Sequence, residues 1–364
     1  MPLKLGENMA ETRNYSLDLL RILATFMVVV LHVQLFGGLL QPQPFSRSFL
    51  PTIILESLCI VAVNCFVLIT GFFMIHKTLN WKKLLNLFVY IVTISWLIFI
   101  IGTACGLRES LKHLVFHLFP VSSGYHWFVS SYIAVYILSP WANKFILSLS
   151  RKESFFLGGL LFVIFSLWAV NPKVSAVTAF NGYSVGWLLY IYFIGAVIRL
   201  HIKKIPFGGW CYLATTLGTI IVAVGMCKFG KGIAAGMYYN SPFVLLASIG
   251  LFSFFYHLRI TSAALTKIIG FFVPGCFGVF LVHTDVFVCP YYVYLFKQTA
   301  YPDWFMTLTG SLAVFGVSIV ASVYIYKAVN WVCGKMLFPA LEKIFSLPYV
   351  KMLKQRITYD SNCQ

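Results

Sequence analysis

Residues 16–36 read SLDLLRILATFMVVVLHVQLF. The stretch is apolar enough to enter a bilayer, yet it carries Asp18, Arg21 and His32. An ionisable side chain at membrane depth costs roughly 2.5–3.5 kcal/mol on insertion scales, so each is a candidate for function. Arg21 and His32 are eleven residues apart. On a helix that is three turns plus about 20°, which puts them on one face with an axial separation of roughly 16 Å. Asp18 and Thr25, at i−3 and i+4 from Arg21, fall on the same stripe. Histidine is the usual general base, contributing about 10²–10⁴ in rate, and an apolar setting keeps it neutral and ready to take a hydroxyl proton. Arginine grips phosphate bidentately. A phosphate held at the mouth and a reactive carbonyl roughly 16 Å deeper describe a long-armed acyl donor such as an acyl-CoA. Taken singly, Arg21 is also a snorkelling topology determinant, Asp18 a first-turn residue paired with it, and His32 a packed core histidine. The shared stripe is what favours chemistry.

The elements that must position these groups are membrane helices. Of the 364 residues 60% are hydrophobic, 18% aromatic and only 10% charged. The apolar residues come in runs of about 18–22, the length that crosses a hydrocarbon core. Ten such runs are read, near 19–40, 53–75, 84–105, 127–147, 155–170, 185–200, 210–227, 242–257, 269–290 and 305–328. The expected fold is an all-α membrane protein, a bundle of about ten transmembrane helices.

The basic residues set its orientation. With the N-terminus inside, the inner segments hold Lys4, Arg13, Arg21, Lys77, Lys82, Lys83, Lys144, Arg151, Lys152, Arg199, Lys203, Lys204, Arg259, Lys267 and six more towards the C-terminus. The outer segments hold seven: Arg47, Arg108, Lys112, Lys173, Lys228, Lys231 and Lys297. This positive-inside bias alternates through every run and predicts that both termini are cytoplasmic. The net charge of +17 is then mostly topological; it could also attract acidic lipids or a phosphorylated cofactor but carries no functional reading by itself, and nucleic acid is not indicated. The nine cysteines show no CxxC and no paired spacing, so neither a disulfide framework nor a zinc site is expected. The first run lacks a small-residue cleavage site and is expected to be retained.

The other polar groups are few enough to place by depth. Glu56 lies in the outer turn of the second run, at a height near His32, and His283 and Asp285 lie in the outer third of the ninth. His126 and Trp127 open the fourth run from the outside. These groups can share one polar pocket in the outer half, with Glu56, then Asp285, as the carboxylate that orients His32; each could equally be an interfacial residue facing headgroups. The loop at 108–126 has Leu111, Leu114, Val115 and Leu118 on one helical face and reads as an amphipathic helix in the outer interface. His113 and His117 on it have metal-ligand spacing, but no third ligand is evident and no metal is expected. The tail from Lys335 mixes apolar and basic residues and could lie on the inner leaflet.

At these residues the chain resembles the acyltransferase-3 family of integral membrane acyltransferases. That family's first span carries Arg-x10-His preceded by Asp-x-Leu-Arg, and here LDLLRILATFMVVVLH gives Asp18, Arg21 and His32. Four further stretches look similar: NCFVLITGFFM at 64–74, with Thr70 in place of a serine; HWFVSSYIAVYILSP at 126–140; YFIGAVI at 192–198; and FGVFLVH at 277–283, with Phe280 in place of a tyrosine. The resemblance spans nearly the whole chain. It implies an acetyl-CoA-dependent O-acyltransferase of the cell membrane, moving acetyl from cytosolic acyl-CoA to a hydroxyl of a sugar or envelope glycan. It implies His32 as general base and Arg21 as essential; Glu56, by its depth, and Asp18, by its place on the stripe, are the further catalytic candidates. Arg21, Lys82 and Lys83 would bind the donor, and His126, Trp127, His283 and Asp285 the acceptor. Where many members have Arg-x2-Arg before the third span, this chain reads NWKKLLNLF, so Lys82 and Lys83 supply charge without the guanidinium fork. Residues 1–334 are expected to form one transmembrane acyltransferase domain and 335–364 a cytoplasmic basic tail. The hydrolase-like domain fused to some members is not expected. The alternative class is a glycan or lipid transporter, for which paired broken helices are the signature. Pro140, Pro242 and Pro274 do not occupy corresponding positions of two halves.

Overall fold

The computed structural model describes residues 13–40, 48–107, 110–168, 179–232, 236–292 and 304–346. Among them the regular structure is entirely helical. The helices are α1 Tyr15–Phe36, α2 Phe49–Cys59, α3 Ala62–Met74, α4 Trp81–Ala104, α5 Leu111–Leu118, α6 Trp127–Ser148, α7 Arg151–Phe162, α8 Val185–His201, α9 Gly208–Lys228, α10 Pro242–His257, α11 Ala263–Phe272, α12 Cys276–His283, α13 Trp304–Val332 and α14 Phe338–Ser346. Among the described residues, six segments are long and apolar enough to cross a membrane: Tyr15–Phe36, Phe49–Met74, Trp81–Ala104, Gly208–Lys228, Ala263–His283 and Trp304–Ile344. The protein is thus multi-pass. The other apolar runs of the sequence are helical too: α6, α7, and the shorter α8 and α10. Arg47, Arg108, Lys173, Lys297 and the tail from 347, on which part of the topology reading rests, lie outside the described residues.

The helix starts follow local chemistry. Asn14 accepts from the Ser16 and Leu17 N–H groups, and Asn80 from Lys83 N–H. Ser184 accepts from Trp187 N–H, and Ser150 and Glu153 form a reciprocal capping box. Each satisfies donors that a helix start leaves without partners. The second and ninth runs are broken. The first breaks at Ile60–Val61, between α2 and α3. The other breaks at Val273–Gly275, where Pro274 cannot donate to the helical ladder and turns the chain between α11 and α12. The ninth run ends at His283 rather than near 290, so Asp285 lies in a turn past the helix and not in the span, which corrects its expected position.

Helix α1 is the hub. It packs against α2, α3, α10, α11, α12 and α13, and Leu17, Leu20, Ala24, Val29, Val30 and Val33 along it are wholly buried. Helices α3 and α8 pack closely against each other. A Cβ on Gly71 would stand 2.0 Å from the Tyr192 carbonyl oxygen, and one on Gly195 would stand 2.3 Å from that of Leu68. Lipid offers no hydrophobic push between helices, so such close backbone approach and interhelical hydrogen bonds supply the association. The polar links run alongside. Trp187 Nε1 donates to Asn64 Oδ1 at 3.0 Å, and Asn64 Nδ2 donates to the Tyr239 carbonyl at 2.9 Å. Tyr192 Oη donates to Asn143 Oδ1 at 2.7 Å.

The expected amphipathic helix forms at α5, with Ser110 as its cap. Leu111, Val115 and Leu118 are exposed on it while His117 turns inward, an arrangement suited to the membrane interface.

Candidate active site

The polar stripe of α1 forms one wall of a cavity of about 280 Å³. Arg21, Thr25, Val28 and His32, spaced 4, 3 and 4 residues, all line it. Helix α3 contributes Val63, Phe66 and Thr70; α6 contributes Trp127, Phe128 and Tyr132; the break at Pro274 and helix α12 contribute Cys276, Phe277, Phe280 and His283. Tyr239 closes the lining from the connection before α10. The cavity therefore follows α1 from its N-terminal, arginine end to its histidine end.

At the arginine end, Asp18 accepts from Arg21 Nη1 and from Arg13 Nε, each at 2.6 Å. The Arg21 guanidinium also lies 5.4 Å from the Phe73 ring centroid. Asp18 is buried behind the arginine and does not line the cavity. Its carboxylate fixes the guanidinium at the mouth, and other N–H groups of the fork stay available to a ligand.

At the other end, His32 Nδ1 lies 2.9 Å from His283 Nε2. His283 Nδ1 lies 2.5 Å from the Val279 carbonyl one turn back on its own helix, to which it can only donate. A neutral His283 then has its lone pair on Nε2, so the proton between the rings belongs to His32 Nδ1. His32 is thereby held as the tautomer whose Nε2 carries a lone pair, the form a general base requires. His283 is completely buried, whereas His32 is partly open to the cavity. Phe36 stacks on the other side of the His32 ring at 5.7 Å.

The carboxylate expected beside His32 is not its partner here. Glu56 accepts from Gln34 Nε2 at 2.7 Å and does not line the cavity. Gln34 lies two residues beyond His32, about 200° round the helix, so Glu56 meets the back of α1. Depth alone matched the two residues; azimuth separates them. Asp285 is likewise engaged elsewhere: Oδ1 accepts from Phe287 N–H at 2.9 Å and Oδ2 stands 3.3 Å from His117 Nε2. His126 is buried at the start of α6, its Nδ1 3.3 Å from Thr284 Oγ1. His126 and Asp285 thus form a layer outside the cavity, while Trp127 and His283 reach it. Trp127 belongs to a cluster with Tyr183 and Tyr239, at ring separations of 4.6 and 5.8 Å.

Lys82 and Lys83 do not line this cavity. They line a second one of about 450 Å³, together with Asn80, Asn86, Tyr90 and residues of α13 and α14. Pro274 and Phe277 belong to the walls of both cavities, so the two are neighbours across the α11–α12 break. Thr70, Tyr132, Tyr239 and Cys276 are cavity residues that were not singled out from the sequence as ligands. Thr70 and Tyr132 sit inside two of the motif stretches, and their hydroxyls are 3.4 Å apart. Nothing in the sequence around Tyr239 marks it; the Asn64 bond to its carbonyl and the ring contacts with Trp127 and Tyr183 bring it in.

The sequence model of the acyltransferase domain, acyltransferase-3, matches residues 14–327. The chain belongs to that family. The match takes in all of the cavity-lining residues and every stretch from α1 to most of α13. Comparison with curated proteins and with solved structures gives no match. Membership supports acyltransferase activity at a membrane.

Proposed function

We propose that this membrane acyltransferase moves an acetyl group from a cytosolic acyl-CoA to a hydroxyl of an envelope glycan or lipid-linked sugar. The observation that carries the reading is the single cavity with Arg21 at one end and a tautomer-fixed His32 at the other. The donor lies along α1 with phosphates at Arg21 and the thioester near His32. At about 280 Å³ the cavity falls at the small end of ligand pockets. It suits the narrow arm of such a donor, with the nucleotide left outside towards Lys82 and Lys83.

His32 Nε2 takes the proton of the acceptor hydroxyl as the oxygen attacks the thioester carbonyl carbon. The carbon–sulfur bond breaks, the coenzyme thiolate leaves, and the proton passes from His32 to the sulfur. His283 holds the His32 ring and shares the charge that develops on it. Trp127 and Tyr239 offer apolar ring faces to the acceptor, and Glu56, His126 and Asp285 shape its outer surroundings. The test is binding of labelled acetyl-CoA to the detergent-purified protein, followed by mass spectrometry of envelope glycan from cells with and without the gene. Saturable binding and a lost acetyl group are expected. Absence of saturable binding would favour a transporter.

A further inference from the structure

Helix α14 lies beyond the family's domain, whose match ends at residue 327, and it sits against the pocket that holds Lys82 and Lys83. Phe338, at its first position, lines that pocket together with Asn330. The Phe338 ring meets Trp81 at 6.2 Å, and Lys82 Nζ lies 5.8 Å from the Phe338 centroid. One turn further on, Glu342 forms an ion pair with Lys82. Asn86 Oδ1 is buried in the same pocket with no hydrogen-bond partner among the described residues, an acceptor that a ligand N–H would satisfy.

We propose that α14 is a gate on this pocket: Glu342 holds Lys82 in the ligand-free protein and yields it to the phosphates of the incoming donor. The inference rests on the acyl-CoA reading given above and names a regulation of that site. Three observations support it. The position is right, because this pocket adjoins the catalytic cavity at Pro274 and Phe277. The chemistry is right, because Glu342 places a carboxylate where a donor phosphate would bind, and a lysine with one anion on it is less attractive to a second. The contact is also exchangeable. Both partners are well exposed, at 42% and 60% of their side chains, and exposed pairs are weak and screened by salt. Among the described side chains, Phe338 of α14 and Leu337 of the turn before it join an apolar cluster, while Met336 and Ile344 are exposed. Few buried contacts place a helix at the low-stability end of a fold, where opening is easy.

Zero-length carbodiimide coupling tests this on the full-length purified protein, since it joins only a lysine and a carboxylate already in contact. The coupled Lys82–Glu342 peptide, read by mass spectrometry, is expected in the free protein and is expected to fade as coenzyme A is titrated in. Binding of coenzyme A is measured in parallel by calorimetry. Glu342→Gln should tighten it about two- to five-fold, the range of an exposed ion pair, and the gain should shrink in high salt. Glu342→Lys should tighten it further. Absence of the coupled peptide would overturn the gate by showing α14 elsewhere, for example on the membrane surface. Coupling that persists at saturating coenzyme A, or unchanged affinity in Glu342→Gln, would overturn it while leaving the donor reading intact. No binding of coenzyme A to either protein would overturn both.

Discussion

His283 meets the Val279 carbonyl and the His32 ring, and the Val28 backbone of α1 lies within hydrogen-bond reach of both imidazoles. Its function in the account is positioning: it receives the His32 Nδ1 proton and so exposes the lone pair on Nε2. Replacing it by Phe removes the acceptor while keeping a planar ring. Turnover should fall by at least about 10-fold, a part of the roughly 10²–10⁴ that a general base contributes. His283→Gln restores an acceptor and should recover part of the loss in kcat with KM for the donor unchanged. Equal activity of the two variants would show that ring packing, not the hydrogen bond, is what His283 supplies. At the other end of the cavity, Arg21 is held by Asp18 and lines the wall. Arg21→Ala should weaken acetyl-CoA binding by roughly 10- to 100-fold, from charge-assisted hydrogen bonds of about 1.5–3 kcal/mol. Arg21→Lys should recover only part of this, because an ammonium lacks the fork. Calorimetry on the purified variants decides both.

The cavity exists because the elements around it are held at fixed distances. Gly71 and Gly195 come from two of the stretches that resemble family motifs, and the structure shows why both are glycine: each lies against a carbonyl of the facing helix. Gly195→Ala should lower the apparent melting temperature in detergent by the equivalent of about 1–3 kcal/mol of overpacking. Gly159→Ala, with nothing within 4 Å of the added Cβ, is the control and should be unchanged or stabilised by up to about 1 kcal/mol, the helix preference for alanine. An unaffected Gly195→Ala protein would mean that the α3–α8 interface is looser than described. Much at this scale was legible beforehand. The apolar runs announced the helices, and a spacing of eleven residues announced a shared face on α1. The partner of His32 was not legible. Glu56 and His283 were both placed at its depth, and only the α1 azimuth and the turn at Pro274 decide between them. Sequence periodicity fixes faces within a helix and says little about which neighbouring helix meets each face. The end of α12 at His283, which puts Asp285 in a turn, was missed for a related reason: the apolar run continues through Val286 and Val288 without the helix.

For the whole molecule, the claim is a division of labour along one cavity between a donor end and a catalytic end. The sidedness comes from the basic residues, and it predicts that cysteines placed at positions 47 and 204 are labelled from opposite faces in a background freed of reactive native thiols. Labelling of both from outside the cell would contradict the topology. The division of labour itself is tested most directly by measuring acetyl-CoA affinity and acetyl transfer on one preparation of His32→Gln. Glutamine keeps polarity and approximate size but cannot accept and relay a proton. The account predicts donor affinity like that of the wild type with transfer reduced by at least about 10²-fold, the lower end for loss of a general base. Transfer near the wild-type rate, or donor affinity lost in step with transfer, would contradict it.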